Sequence, residues 1–261
     1  MRTLAAVLLS LALATPLSAC DRSAPDAAFP QNFLFGVATA GFQSDPGCPT
    51  LPAAACEDRK SDWYHFVTDP SITGDPAAHV SGEPLQNAPG SFELYPQDFD
   101  LVANDLHGSA VRLSLEWSRL FPTSTIGIED PAALRALADP AALAHYHAVF
   151  AALKARRLTP LVTLNHYTLP DWIHDAVACH NTTPARLRDS AACLMDRPCA
   201  TCAEHPGWLG GDTLVHEIAK YAAFAAREFG DEVDLWATLN EPFAVLLPGF
   251  LLPTADRSNP P

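Results

Sequence analysis

Leu235-Trp236-Ala237-Thr238-Leu239-Asn240-Glu241-Pro242 is the stretch that decides the fold. Val233, Leu235 and Trp236 favour an extended chain, because β-branched and aromatic side chains suit a pleated surface. Pro242 lacks the amide hydrogen needed to continue a ladder. The reading is a buried strand ending in a polar pair, Asn240 and Glu241, at its C-terminal mouth. In a barrel of alternating strands and helices, that mouth is where chemistry sits. A glutamate enclosed there can hold a proton near neutral pH and donate it. In isolation the same Asn-Glu-Pro reads as an ordinary surface loop, so what precedes it carries the argument.

Three further strands precede it. Residues 33–40 are an almost unbroken apolar run, as expected of a strand buried on both faces of a parallel sheet, and Gln43 follows directly. Residues 110–117 put Arg112, Ser114 and Glu116 on one face and Val111, Leu113 and Leu115 on the other. A polar face on a buried strand is costly unless it lines a site. Residues 159–166 form the third strand and leave His166 at its end. Helical apolar stripes run through 97–106, 140–157 and 212–229, the last with Asp212 or Thr213 as its cap. No helix is expected after the fourth strand. The stretch 45–96 reads as irregular, and its Trp63, Tyr64 and Phe66 either line a pocket rim or fill a satellite core. The order β-loop-α, β-α, β-α, β is that of a parallel α/β fold. No Gly-x-Gly-x-x-Gly follows the first strand, so a doubly wound nucleotide-binding sheet has no motif behind it.

Composition narrows the partners. The chain has 261 residues, is 48% hydrophobic and carries a formal net charge of −14. So acidic a chain excludes nucleic acid, whose binding needs clustered Lys and Arg, and disfavours an anionic membrane surface. At the N-terminus, Arg2 precedes an apolar run over 4–14 that is too short to span a bilayer and fits a secretory signal. Leu17-Ser18-Ala19-Cys20 resembles a bacterial lipobox. The expectation is a signal peptide over 1–19, a lipid on Cys20, a flexible tether over 20–28, and one domain over 29–261. Plain cleavage after Ala19 is the alternative. Either way the mature chain is exported, as a membrane-anchored lipoprotein or a periplasmic or extracellular protein, touching the membrane only through that anchor. The remaining six cysteines suit disulfides. Cys48 is expected to pair with Cys56, while Cys179, Cys193, Cys199 and Cys202 share one insertion with open connectivity. No metal site is read.

Four blocks then carry a resemblance, each at a strand end and all in one order: Phe35-Gly36-Val37-Ala38-Thr39-Ala40-Gly41-Phe42-Gln43, 112–122, 163–170, and 236–242. Together they resemble glycoside hydrolase family 1, the β-glucosidases and β-galactosidases. Glu116-Trp117-Ser118-Arg119 and Val80-Ser81-Gly82-Glu83 are most similar to its archaeal-type branch. The resemblance implies a (β/α)8 TIM barrel, of which this chain holds about the first four strands, a truncated N-terminal half-barrel. It implies retaining hydrolysis of a β-linked glycoside or oligosaccharide without cofactor or metal. On that likeness Glu241 is the general acid/base, Asn240 holds the substrate 2-hydroxyl, Gln43 and His166 hold glycone hydroxyls, and Arg112 keeps the nucleophile ionised. The chain departs from the family pattern in three places. Asp45 stands where a glutamate is usual, and Tyr167 replaces a tryptophan. No Thr-Glu-Asn-Gly-like segment exists to supply the nucleophile. Glu116 is expected in a structural ion pair and Asp171 as a helix cap, neither as a second catalytic carboxylate. By itself such a chain is expected to be poorly stable and inactive, with the rest of the barrel coming from a longer frame or a second chain. The alternative is a non-catalytic, exported sugar-binding or structural half-barrel lipoprotein.

Overall fold

The computed structural model describes residues 28–182 and 205–246. The chain divides into two compact units, Met1–Phe33 and Leu34–Pro261. In the first, the described residues make a turn closed by the Phe33 amide on the Pro30 carbonyl at 2.9 Å. The expected signal peptide over 1–19, Cys20, Cys193, Cys199 and Cys202 lie outside the described residues.

The second unit is built on a four-stranded parallel sheet with strand order β1-β2-β3-β4. The strands are β1 (Gly36–Ala38), β2 (Ala110–Ser114), β3 (Thr159–Asn165) and β4 (Leu235–Leu239). Register is set by Val37 opposite Val111, Leu113 opposite Val162, and Thr163 opposite Ala237. Helices Ser91–Asp100, Pro140–Ala155 and Gly211–Phe229 precede β2, β3 and β4 in turn. Parallel neighbours need such crossovers, because the chain must return to the same end of the sheet. The core lies between these helices and the sheet. Val111, Leu113, Leu115 and Val162 meet Tyr146, Phe150, Leu153, Tyr221, Phe224 and Phe229 there. Trp117 stacks on Tyr221 with ring centroids 5.0 Å apart, fastening the end of β2 to the last long helix.

Several boundaries depart from the sequence reading. β1 is three residues long and largely exposed, not a strand buried on both faces, because it has one neighbour and sits at a sheet edge. The stretch 45–96 contains short helices, among them Ala53–Cys56 and Asp62–Thr68. The first long helix starts at Ser91, behind Gly90 at φ 77°, and carries Pro96 inside it before a π-helical Leu101–Asp105. The sequence reading started this helix at 97, six residues later than the chain does. Gly211–Phe229 begins behind Gly210 with no side-chain cap, so neither Asp212 nor Thr213 caps it, although Asp212 lies in the first turn. Asp171 caps no helix. It sits in a turn and pairs with Lys60 Nζ at 3.2 Å. A helix, Pro242–Leu246, does follow β4. Proline suits a first helical position, where its missing N–H has no intrahelical partner to lose. The Cys48–Cys56 disulfide forms as expected, and Cys179 is disulfide-bonded too.

Candidate active site

The C-terminal ends of β2, β3 and β4 bring four of the expected residues together. Arg112 leaves β2 and crosses β3, its Nε donating to Thr163 Oγ1 at 2.8 Å and its Nη2 to Asn240 Oδ1 at 2.7 Å. Three adjacent strands are thus tied by one guanidinium, whose planar fork suits two acceptors at fixed spacing. Asn240 is buried, and its amide extends the sheet pattern by donating to the Asn165 carbonyl at 2.9 Å.

Asn165 organises the turn after β3. Its Nδ2 donates to the Thr168 carbonyl at 2.7 Å, and its Oδ1 accepts from the Tyr167 amide at 3.2 Å. Tyr167 is held at φ 76° and Glu241, on the neighbouring strand end, at φ 40°. Left-handed backbone at a residue with a side chain costs about 1–3 kcal/mol and persists where the surroundings impose it. The two meet: the Tyr167 phenol donates to Glu241 Oε2 at 2.6 Å. Trp63 stacks on the other side of Tyr167, with centroids 6.0 Å apart and planes 12° from parallel. Glu241 is exposed rather than enclosed in a pocket, because β4 is a sheet edge and no further strand covers that side among the described residues.

His166 stands edge-on to Tyr167. Its Nδ1 is buried without a hydrogen-bond partner. Burial, and then the Arg112 charge, push its pKa down to about 4 against an opposing pull from Glu241. The ring is therefore neutral at neutral pH and able to accept one hydrogen bond and donate another. Gln43 lies apart. It is exposed on the short Gly41–Ser44 helix, on the rim of a groove of about 640 Å³ that Phe42, Trp63, His79 and Glu83 also line. Among the described residues it makes no hydrogen bond into the Arg112–Asn240 cluster. Of the two readings of the aromatics, each holds for a different ring. Trp63 faces the site, while Phe66 fills a satellite core with Ile72, Ala78 and Ala176.

Behind the site is a second polar layer. Among the described residues Glu116 forms no ion pair. It is 1% exposed and accepts from Ser114 Oγ at 3.0 Å and Thr168 Oγ1 at 2.6 Å. Burial, then the nearby Asp58 charge, push its carboxyl up to about 8. Ser114 Oγ also accepts the Gly41 amide at 2.7 Å, linking this layer to the start of the Gln43 helix. The buried cation nearest this layer, Arg119, serves other groups. Arg119 pairs with Asp45 at 3.4 Å and donates to the Cys56 carbonyl at 2.6 Å. Asp45 is pushed up to about 6 by burial, with Arg119 opposing. So the unusual residue at 45 is accommodated by an ion pair at the disulfide loop. Thr163, Asn165 and Thr168 were missed from sequence. Their polar side chains on a strand and its end were a signal that reading by blocks passed over. Tyr167 was noticed only as a substitution.

A family model described as "Glycosyl hydrolase family 1" matches residues 25–187 and 194–255. The chain belongs to glycosyl hydrolase family 1. Among curated relatives, a beta-galactosidase of Pyrococcus woesei is 32% identical over 245 residues, covering 86% of this chain and 43% of its own. One of Saccharolobus solfataricus is 33% identical over 234 residues, covering 83% and 42%. Among solved structures, the beta-glycosidase from Thermosphaera aggregans has a TM-score of 0.69 at 30% identity, covering 85% of this chain and 44% of that one. The beta-glucosidase from Pyrococcus furiosus has a TM-score of 0.72 at 31% identity, covering 88% and 47%. This family 1 chain therefore spans somewhat under half the length of the relatives it matches. Its four parallel strands, in sequential order, form half of the family's barrel.

Proposed function

We propose that this chain is the acid/base half of a retaining β-glycosidase acting on β-linked glycosides, with Glu241 as the proton donor. The observation behind the reading is the placement of Glu241 and Asn240 at the mouth of β4, Asn240 fixed by Arg112 and Glu241 reached by Tyr167. In the first step Glu241 protonates the glycosidic oxygen as the C1–O bond breaks and a carboxylate nucleophile bonds C1. In the second it takes a proton from the water that releases the sugar. Asn240 holds the 2-hydroxyl, and the neutral imidazole of His166 exchanges a hydrogen bond with a glycone hydroxyl. Gln43 holds another from the groove rim. Arg112 helps to keep the nucleophile ionised.

Retention needs the two carboxylates about 5–5.5 Å apart. Glu116 does not serve, because both its oxygens are engaged by Ser114 and Thr168 in a buried layer. The nucleophile belongs to the part of the family fold that this chain does not span, supplied by a longer frame or a second chain. Export with a lipid on Cys20 remains part of the proposal. The test uses the native protein that carries Glu241, with paired aryl β-glycosides. Glu241→Gln should lower turnover by roughly 10²–10⁴-fold for a poor leaving group, which needs protonation, and far less for a good one. Equal loss for both leaving groups would sink the assignment. The 261-residue chain alone is expected to release no aglycone. Saturable binding heat from it without hydrolysis would favour a sugar-binding role.

A further inference from the structure

We infer that Tyr167 is a positioning residue that decides which oxygen of Glu241 carries the transferred proton. The inference rests on the proposed role of Glu241 and adds a group to it. Tyr167 donates its phenolic proton to Oε2 at 2.6 Å. An oxygen that accepts so short a bond is a poor place for a second proton, so the carboxyl proton resides on Oε1. Oε1 is then the oxygen that gives the proton up as the glycosidic bond breaks and takes one back from water afterwards. Oε2 remains bonded to Tyr167 throughout, so the carboxyl plane is held while its charge changes.

The phenol is itself fixed from four sides. Trp63 stacks on its ring, Val245 packs against it, His166 meets it edge-on, and Asn165 Oδ1 holds its backbone amide. The left-handed backbone at Tyr167 and Glu241 points the same way, since both residues are held in costly conformations that bring this pair together. A tryptophan or phenylalanine at 167 would have no hydroxyl to make the contact. Two neighbouring groups bear on the pair's charge, His166 on the same turn and Arg112 from β2. His166 is neutral above about pH 5, and Arg112 stays charged at all pH values of interest. Neither titrates on the alkaline side of the pH profile.

The test needs no turnover. With ¹³C-carboxyl glutamate and ¹³C-labelled tyrosine in the native protein that carries Glu241, the Glu241 resonance is identified by its loss in Glu241→Gln. The Tyr167 ring signal should follow the Glu241 titration in the wild type and lose that step in Glu241→Gln. In Tyr167→Phe, which keeps the ring and its stacking, the Glu241 carboxyl resonance should shift, because the donor to Oε2 has gone. An unmoved Glu241 resonance together with a silent Tyr167 signal overturns the inference. In the native hydrolase, Tyr167→Phe should carry the alkaline limb of kcat/KM upward, with KM little changed. A limb that stays in place while the resonances are coupled also overturns it. If the resonances are coupled but Glu241→Gln spares poor leaving groups, the contact stands and the acid/base reading falls.

Discussion

Glu116 is the residue whose chemistry reaches furthest beyond its own position. It is buried between hydroxyls with its carboxyl pushed from 4.5 to about 8 by burial, so it is uncharged at neutral pH. In the unfolded chain the same group ionises near 4.5. Between those values the folded state holds a proton that the unfolded state has released, and stability falls as pH rises through that window, at up to about 1.4 kcal/mol per pH unit. Asp45 adds the same sign between 3.8 and about 6. His145 opposes them: its pKa is lowered to about 4 by burial and then by Arg119, so it removes stability as pH falls from 6.5 toward 4. Replacing Glu116 by glutamine keeps the shape and removes its titration. Thermal midpoints of wild type and Glu116→Gln, followed from pH 5 to 8.5, should diverge, with the wild type losing ground steadily from pH 5 and levelling off near pH 8. A difference between the two that stays constant with pH would show that Glu116 is charged in the folded chain.

At the scale of elements, the short Gly41–Ser44 helix and the disulfide loop behind it hold the groove rim in place. A Cβ at Gly41 would clash with Glu116 Oε1, so the turn that presents Gln43 is shaped around a buried carboxyl group. Gly41→Ala should cost about 1–3 kcal/mol through overpacking, read as a lower urea midpoint with an unchanged slope. The Cys48–Cys56 link closes a span of 8 residues. Closing so short a loop restricts the unfolded chain by about 2–3 kcal/mol. Cys48→Ser/Cys56→Ser should lose that much in a denaturant melt, and the loss should vanish when both proteins are measured in reductant. These elements also mark what the sequence could tell. The polar alternation of Arg112, Ser114 and Glu116 was legible, because period two on an apolar strand has few meanings. The partners were not. Whether Glu116 meets a cation or two hydroxyls depends on Thr168, 52 residues away, and on Arg119 being drawn to Asp45 and the Cys56 carbonyl instead. The pair of Glu241 with Tyr167 was hidden in the same way, by two backbone conformations that no local pattern announces. The helix after β4 was passed over because Pro242 was taken only as the end of a strand, although a proline also opens helices.

For the whole molecule, the sheet explains where stability is concentrated. β2 and β3 each have two hydrogen-bonded neighbours and lie over the helix-packed core, whereas β1 and β4 have one neighbour each among the described residues. Leu34, Phe35, Leu239 and Phe243 are exposed near those edges. An open parallel edge bordered by apolar side chains invites pairing with another chain. The net charge of −14 opposes indiscriminate self-association by mutual repulsion. Opening free energies should therefore be graded across the sheet. In hydrogen exchange on the purified chain, amides of Leu113 and Val162 should be protected by at least about 100-fold more than those of Val37 and Trp236, since opening an edge strand disrupts one ladder and little core. Adding salt should slow exchange at β1 and β4 selectively if it screens the repulsion and lets edges pair. Uniform protection across all four strands at low salt would mean that both edges are already covered in solution. Gel filtration with light scattering would then distinguish a pair of chains from a single chain that has closed on itself.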